Sequence, residues 1–311
     1  MSFFAIVIAL LLEQVRPLLP GNLVHAGYDA WVVSVRRNFD TGLAHHGWLA
    51  WVLAVGAPGA LVLGLGWLLH ALAWPLGMLW AVAMLYVTLG FRQFSHYFTR
   101  IRDALHVGDE HAACQALAQW QGIDTRAMAR GELLRQVLQY SVLAAHRHVF
   151  GVLFWFTALA ALGLGPLGAV LYRMAAHLER AWSRPELANS PLQQAAHQAW
   201  RVLDWLPARL TALSFAVVGN FEDAIEGWRF YANRFGCGGD GVILAATAGA
   251  LDVRLDDGAS SAAGADVLED ETPPGRAPEV GHLRSVVALV WRAVVVWLLL
   301  LALLTLARLL G

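Results

Sequence analysis

From Val286 to Leu310 the chain reads VVALVWRAVVVWLLLLALLTLARLL, and only Arg292 and Arg308 interrupt it with charge. A helix that crosses the hydrocarbon of a bilayer needs about 20 mostly apolar residues. A helix that is apolar all round has no face to give to water. This terminus therefore constrains the chain to a membrane. The rest agrees, with 58% of the 311 residues hydrophobic and only 14% charged. The 14 Trp suit interfacial belts, where the ring is buried and the N–H stays wet. The net charge of −1 offers no electrostatic footprint for nucleic acid.

All 22 basic residues are Arg, and the chain has no Lys. A phosphate-loop lysine, a Schiff base and a lysine general base are thereby excluded. Any phosphate must be held by Arg, by backbone N–H groups or through a metal. Cys114 and Cys237 form no CxxC, which excludes a disulfide framework and a cysteine-based zinc site. Ser2–Leu12 is apolar but lacks the basic start and small-residue cleavage site of a removable signal. It is expected to be an anchor or half-span that ends with Glu13 and Arg16 near the headgroups.

The expected fold is all-α: a multi-pass integral membrane protein with amphipathic helical loops. Residues 1–47 form the anchor and an interfacial segment, with a short helix around Tyr28–Phe39. Residues 48–91 form a transmembrane hairpin, broken at Trp74-Pro75. Residues 92–148 form a soluble helical loop, with apolar residues at helical spacing and breaks near Gly108 and Gln121-Gly122. Residues 149–251 begin with a third hydrophobic stretch, Val149–Leu171, and include a partly buried helix over Leu203–Phe221. Residues 252–285 are an acidic flexible linker, and 286–311 the closing span. The loop before Val149 carries seven Arg and the region Arg173–Arg284 carries ten, so both favour the cytoplasm. Either Val149–Leu171 dips in and returns, or a further crossing lies near Leu210–Val218.

Several motifs carry chemistry. Gly163, Gly165 and Gly168 spell G-x-G-x-x-G inside an apolar stretch, where a kink or close helix packing is expected. Gly236, Gly238 and Gly241 spell it again in a polar loop, which is either a turn or a cradle for phosphate. His146, Arg147 and His148 form a cationic cluster, although i, i+2 does not bring two histidines to one face of a regular helix. Asp204, Pro207 and Arg209 set two opposite charges around a proline that is expected to interrupt the helix. They read either as a structural ion pair or as an Arg aimed at a phosphate or carboxylate. Asn220 either caps a helix whose first turn holds Glu222 and Asp223, or those two carboxylates hold Mg²⁺ beside a phosphate. Arg92 and His96 share one side at the foot of the second span.

The string GPLGAVLYR (Gly165–Arg173), the Phe154-Trp155 pair and RVLDWLPARLT (Arg201–Thr211) resemble the CobD/CbiB family of membrane proteins. The order of spans is similar along nearly the whole chain. That resemblance implies adenosylcobinamide-phosphate synthesis in cobalamin assembly. The reaction joins an aminopropanol, or its phosphate, to a corrinoid carboxylate as an amide, with ATP and Mg²⁺. It implies substrate-binding roles for Tyr172, Arg173, Pro207, Arg209 and Asp204; the cluster His146, Arg147 and His148, which departs from the family pattern, is a further substrate-binding candidate through its own basic side chains. The partners implied are membrane lipid and a corrinoid substrate or corrinoid-pathway enzymes, at the cell inner membrane. The opening FFAIVIALLLEQVRPL and the LDWLPARL string are also similar to the AmpE family, which implies a non-catalytic regulator linked to β-lactamase induction. A scaffold that tethers soluble corrinoid enzymes is a third reading. Two departures bear on the choice. Where the synthases carry an acidic stretch before the Phe-Trp pair, this chain has Ala144 to His148, and their Asn-Thr-Leu-Asp-like string is here Ala176, His177, Leu178 and Glu179. A straight helix over Val149–Leu171 would be about 35 Å long and would part His148 from Arg173. A shared site requires that stretch to bend near Gly163–Pro166.

Overall fold

The computed structural model describes residues 2–15, 23–39, 43–122, 124–125, 128–184, 187–236, 238–256 and 275–310. Among these, all the regular elements are helices. They divide into two compact units, one of Met1–Gln93 with Arg147–Asp204, the other of Phe94–His146 with Trp205–Gly311.

The first unit opens with α1 (Ser2–Val15) and the amphipathic α2 (Leu23–Phe39). Then come α3 (Ala44–Leu72) and α4 (Trp74–Thr88), the expected hairpin. The break falls at Ala73, which is extended, one residue before the expected point. Pro75 sits in the first turn of α4, where its missing N–H costs no helical bond. Trp80 Nε1 donates to Val62 O at 3.0 Å and ties the pair together. Glu13 is only 4% exposed and so is enclosed by protein; Arg16, expected with it near the headgroups, lies outside the described residues.

In the second unit, α5 (Phe91–Val107) ends at Gly108, whose φ of 84° suits glycine. α6 (Glu110–Gln121) is capped by Asp109 and ends at the left-handed Gly122. Both breaks fall where the sequence placed them. α7 (Arg130–Ala145) does not end the loop at 148 as expected. It passes through a π turn, His146–Phe150, into α8 (Gly151–Ala160). The reason is an uninterrupted buried row that runs from Leu133 and Val137 through Val142 to Val149 and Val152. α11 (Phe221–Tyr231) and α12 (Gly239–Leu251) pack closely, because a Cβ on Gly227 would lie 2.7 Å from Ala245 O. The acidic linker expected over 252–285 falls largely outside the described residues. α13 (Val280–Leu310) closes the chain, and its Trp297 Nε1 donates to Ser214 Oγ at 2.7 Å.

Among the described residues, three helical segments are long and apolar enough to cross a membrane: His45–Leu72, Arg130–Ala160 and Val280–Ala307. They differ in surroundings. The most apolar window is 22% and 28% buried in the first and last, but 56% buried in Arg130–Ala160, which is sheathed mainly by protein.

The third hydrophobic stretch folds back. α8 stops at Ala160, Gly163 turns at φ 79°, and α9 (Gly165–Trp182) returns with Pro166 in its first turn. Glycines let the two helices touch. A Cβ on Gly168 would sit 2.6 Å from the Trp155 carbonyl carbon, and one on Gly165 would sit 3.0 Å from Ala160 Cβ. A Cβ on Gly151 would enter the Tyr172 ring. These pairings give one antiparallel register. Gly151 and Tyr172 are then each about 14 Å from the tip at 1.5 Å per residue. Close packing, and not a nucleotide loop, accounts for the first glycine motif.

α10 (Pro191–Val218) runs unbroken across Pro207, which corrects the expected interruption. A proline inside a helix leaves the carbonyl four residues earlier without its donor. Here that carbonyl, Leu203 O, accepts from Trp155 Nε1 at 3.1 Å.

Candidate anion site

The site is assembled in the first unit where the hairpin legs leave the buried stretch. Tyr172 is fully buried, and its hydroxyl donates to Asp204 Oδ1 at 2.8 Å. Asp204 is 2% exposed. A buried carboxylate needs donors to offset its lost hydration. The ring of Tyr172 packs against Trp200, with centroids 5.1 Å apart. The guanidinium of Arg147, from the π turn, lies 5.8 Å from the same Trp200 ring, within cation–π range. His148 packs against Gly90, where a Cβ would come 3.2 Å from its Cε1.

Arg173 follows Tyr172 on α9. Burial pushes its guanidinium down to about 10, and Arg180 and Arg147 push the same way, while Tyr172 and Glu13 hold it up. These causes identify its neighbours. A buried carboxylate, two further arginines and a phenol share its surroundings. Arg173, His177 and Arg180 follow at i, i+4 and i+7, so α9 presents two arginines and a histidine on one face. Across from it, His177 Nε2 meets Asp29 Oδ1 of α2 at 2.7 Å. Burial lowers the imidazole's pKa, with Arg180 and Arg173 adding to the effect and Asp29 opposing it. Arg147 and Arg173 are partly buried and Arg180 is exposed, and arginines whose charges oppose one another in this way favour an anionic partner such as phosphate or carboxylate.

The structure thus brings Arg147, His148, Tyr172, Arg173 and Asp204 into one unit, and the bend required for that is present. His146, Pro207 and Arg209 belong to the second unit. His146 is buried, with Nδ1 2.9 Å from Thr211 Oγ1. Thr211 spends its single hydroxyl proton on Pro207 O at 2.9 Å, so His146 Nδ1 carries the hydrogen. Asp204 and Arg209 take different partners. Arg209 donates to Trp205 O at 2.8 Å and stacks 4.1 Å over the Trp205 ring. Asn220 caps α11 by accepting from Asp223 N, with Glu222 and Asp223 exposed in the first turn. Among the described residues no three His, Cys, Asp or Glu side chains gather as a metal nest. A Mg²⁺ that arrives with a phosphate needs only one or two protein carboxylates. The second glycine motif precedes α12, but Asp240 stands in that helix's first turn, which disfavours an anion there. Cys237 and the side chains of Arg92 and His96 lie outside the described residues.

Sequence reasoning missed Glu13, Asp29, His177 and Arg180. A readable signal existed for three of them. An acid that ends an apolar helix is functional by default, and i, i+4, i+7 spacing marks one face. Asp29 had none, because its role depends on how α2 lies on α9.

Comparison with known proteins gives one family. The family model described as CobD/Cbib protein matches residues 3–290. A Stutzerimonas stutzeri protein named Cobalamin biosynthesis protein CobD is 32% identical over 237 residues, 76% of each chain. A Chromobacterium violaceum protein of the same name is 34% identical over 178 residues, 57% of this chain and 55% of its own. No solved structure matches the chain.

Proposed function

Because this chain belongs to the CobD/CbiB family, we propose that it acts in cobalamin biosynthesis as a multi-pass protein of the inner membrane. There it joins an aminopropanol or its phosphate to a corrinoid carboxylate as an amide. The observation that supports this reading is the gathering of Arg147, Arg173 and Arg180 around Tyr172 and Glu13 at the foot of the hairpin. Bound ATP with Mg²⁺ would supply the phosphoryl group that activates the carboxylate. The chain's own residues do the rest. The arginines hold anionic groups of the substrates and disperse the charge that grows on the leaving oxygen. Tyr172 is fixed by Asp204, which keeps Arg173 in place on the next position of the helix. The half-buried setting strengthens each of these contacts by excluding water. Corrinoid and lipid meet the protein at the same edge, and corrinoid-pathway enzymes are natural partners there.

One observation favours a second reading. The cationic His146-Arg147-His148 stands where the resemblance implies carboxylates, as befits an AmpE-like regulator that binds but does not react. Complementation of a cobinamide-synthesis deletion separates the two. Rescue by wild type and loss of rescue by Arg173→Ala, at equal expression, supports the enzyme. Failure of the well-expressed wild type supports the regulator.

A further inference from the structure

The amine that forms the amide must shed a proton, and the arginines of the anion site cannot accept it. The α9 face that carries Arg173 and Arg180 contains one group that can. His177 lies four residues after Arg173 and three before Arg180, on their shared face. Its Nε2 is 2.7 Å from Asp29 Oδ1, so Nε2 carries the hydrogen and the Nδ1 lone pair is left to accept one. A carboxylate that fixes the tautomer and orientation of an imidazole is the arrangement used by histidine bases. Tyr28, beside Asp29 on α2, packs edge-on to the imidazole with centroids 5.2 Å apart. Its hydroxyl donates to Met174 O at 3.3 Å, which locks that ring against α9. The His177 side chain is 39% exposed, so a substrate can reach it.

Resting on the reading above, we propose that His177, held by Asp29, is the catalytic base that takes the surplus proton of the amine nitrogen as the amide forms. In that step the C–N bond forms and the C–O bond to the phosphate leaving group breaks. The nitrogen's extra proton moves to Nδ1 of His177, and the phosphate leaves with the C–O electron pair. The corrinoid carboxylate is activated beforehand by a phosphoryl group from a nucleoside triphosphate, as above. Position supports the assignment. A phosphate held by Arg173 and Arg180 places its amine end within one helical turn, about 5–6 Å between Cβ atoms. The charged and titratable groups around the imidazole are Asp29 and Tyr28 from α2 and Arg173 and Arg180 on α9. Burial and the two arginines keep the imidazole neutral, which is the form a base needs. His177 is also the chain's own residue, standing where the resemblance implies a Thr.

The test uses the full chain in lipid nanodiscs with aminopropanol phosphate, a corrinoid bearing one free carboxylate, and ATP with Mg²⁺. For His177→Gln, kcat is expected to fall about 10²- to 10⁴-fold while KM for the amine stays within about two-fold, and the acidic limb of the pH–rate profile is expected to vanish. Asp29→Asn removes a charge that raises the imidazole's pKa, so the acidic limb moves to lower pH. Arg180→Gln removes a charge that lowers it, so the limb moves to higher pH. A His177→Gln enzyme that keeps the acidic limb and a kcat within about three-fold overturns the assignment. So do Asp29→Asn and Arg180→Gln limbs that move in the same direction. A folded wild type with no turnover refutes the enzyme reading itself, and the base with it.

Discussion

Replacing Gly168 by alanine places a methyl group against the backbone of the opposite hairpin leg. Its Cβ would lie 2.6 Å from the Trp155 carbonyl carbon and 3.1 Å from Phe156 N. Carbon atoms rest at about 3.5–4.0 Å, so α8 and α9 must part by about 1 Å. The atoms in the way are main chain, and no rotamer relieves them. Overpacking of this kind costs about 1–3 kcal/mol, and a rigid backbone obstacle belongs at the upper end. Alanine returns about 1 kcal/mol of helix propensity over glycine. The balance is a loss of about 2 kcal/mol, or roughly 4–8 °C of melting temperature at 2–4 °C per kcal/mol. Tyr172 sits one turn beyond Gly168, and a shift of 1 Å takes its 2.8 Å bond to Asp204 past hydrogen-bond range. Substrate binding should weaken together with stability. Gly64→Ala is the internal control, since nothing lies within 4 Å of a Cβ there. Tryptophan fluorescence during heating in detergent reads both variants. A Gly168→Ala protein that melts at or above wild type refutes the close hairpin.

Tyr172→Phe removes a donor from a carboxylate that is 2% exposed, and should cost about 1.5–3 kcal/mol in the same melt. Unchanged melting would show that Asp204 does not depend on it. Trp155→Phe should cost about 1 kcal/mol in the wild type but little in Pro207→Ala, because residue 207 then offers its own N–H to Leu203 O. A double-mutant cycle with zero coupling contradicts this. Glu13→Gln withdraws a charge that holds the Arg173 guanidinium protonated, so that group should lose its proton below its present value of about 10. Phosphate binding by isothermal titration should then fall off at a lower pH in Glu13→Gln than in wild type, and identical profiles would separate Glu13 from the site.

Much of the fold is legible in local chemistry. The spans follow from apolar length, and the breaks at Gly108 and Gly122 follow from residues that tolerate positive φ. Asn220 acts as a cap because its short acceptor reaches the first turn. The hairpin could be posed only as a condition, since glycines at 163, 165 and 168 permit a turn without requiring one. Pro207 reads locally as a break, yet the indole that compensates it comes from a residue 52 positions earlier. The π turn is invisible for a similar reason, as the extra residue is set by what α7 and α8 each bury. At the site, Tyr172, Arg173 and Asp204 were recoverable from the family strings. Asp29 was not, because α2 reaches the site through packing, which sequence spacing does not record.

The most direct measurement is amide formation by the full chain reconstituted in lipid, with labelled aminopropanol phosphate, a corrinoid bearing one free carboxylate, and ATP with Mg²⁺. The account predicts label transferred to the corrinoid by wild type, and transfer reduced at least about 100-fold by Arg173→Ala, the value for a lost charge-stabilising contact. A folded wild type that transfers no label, or an Arg173→Ala variant as active as wild type, would contradict it.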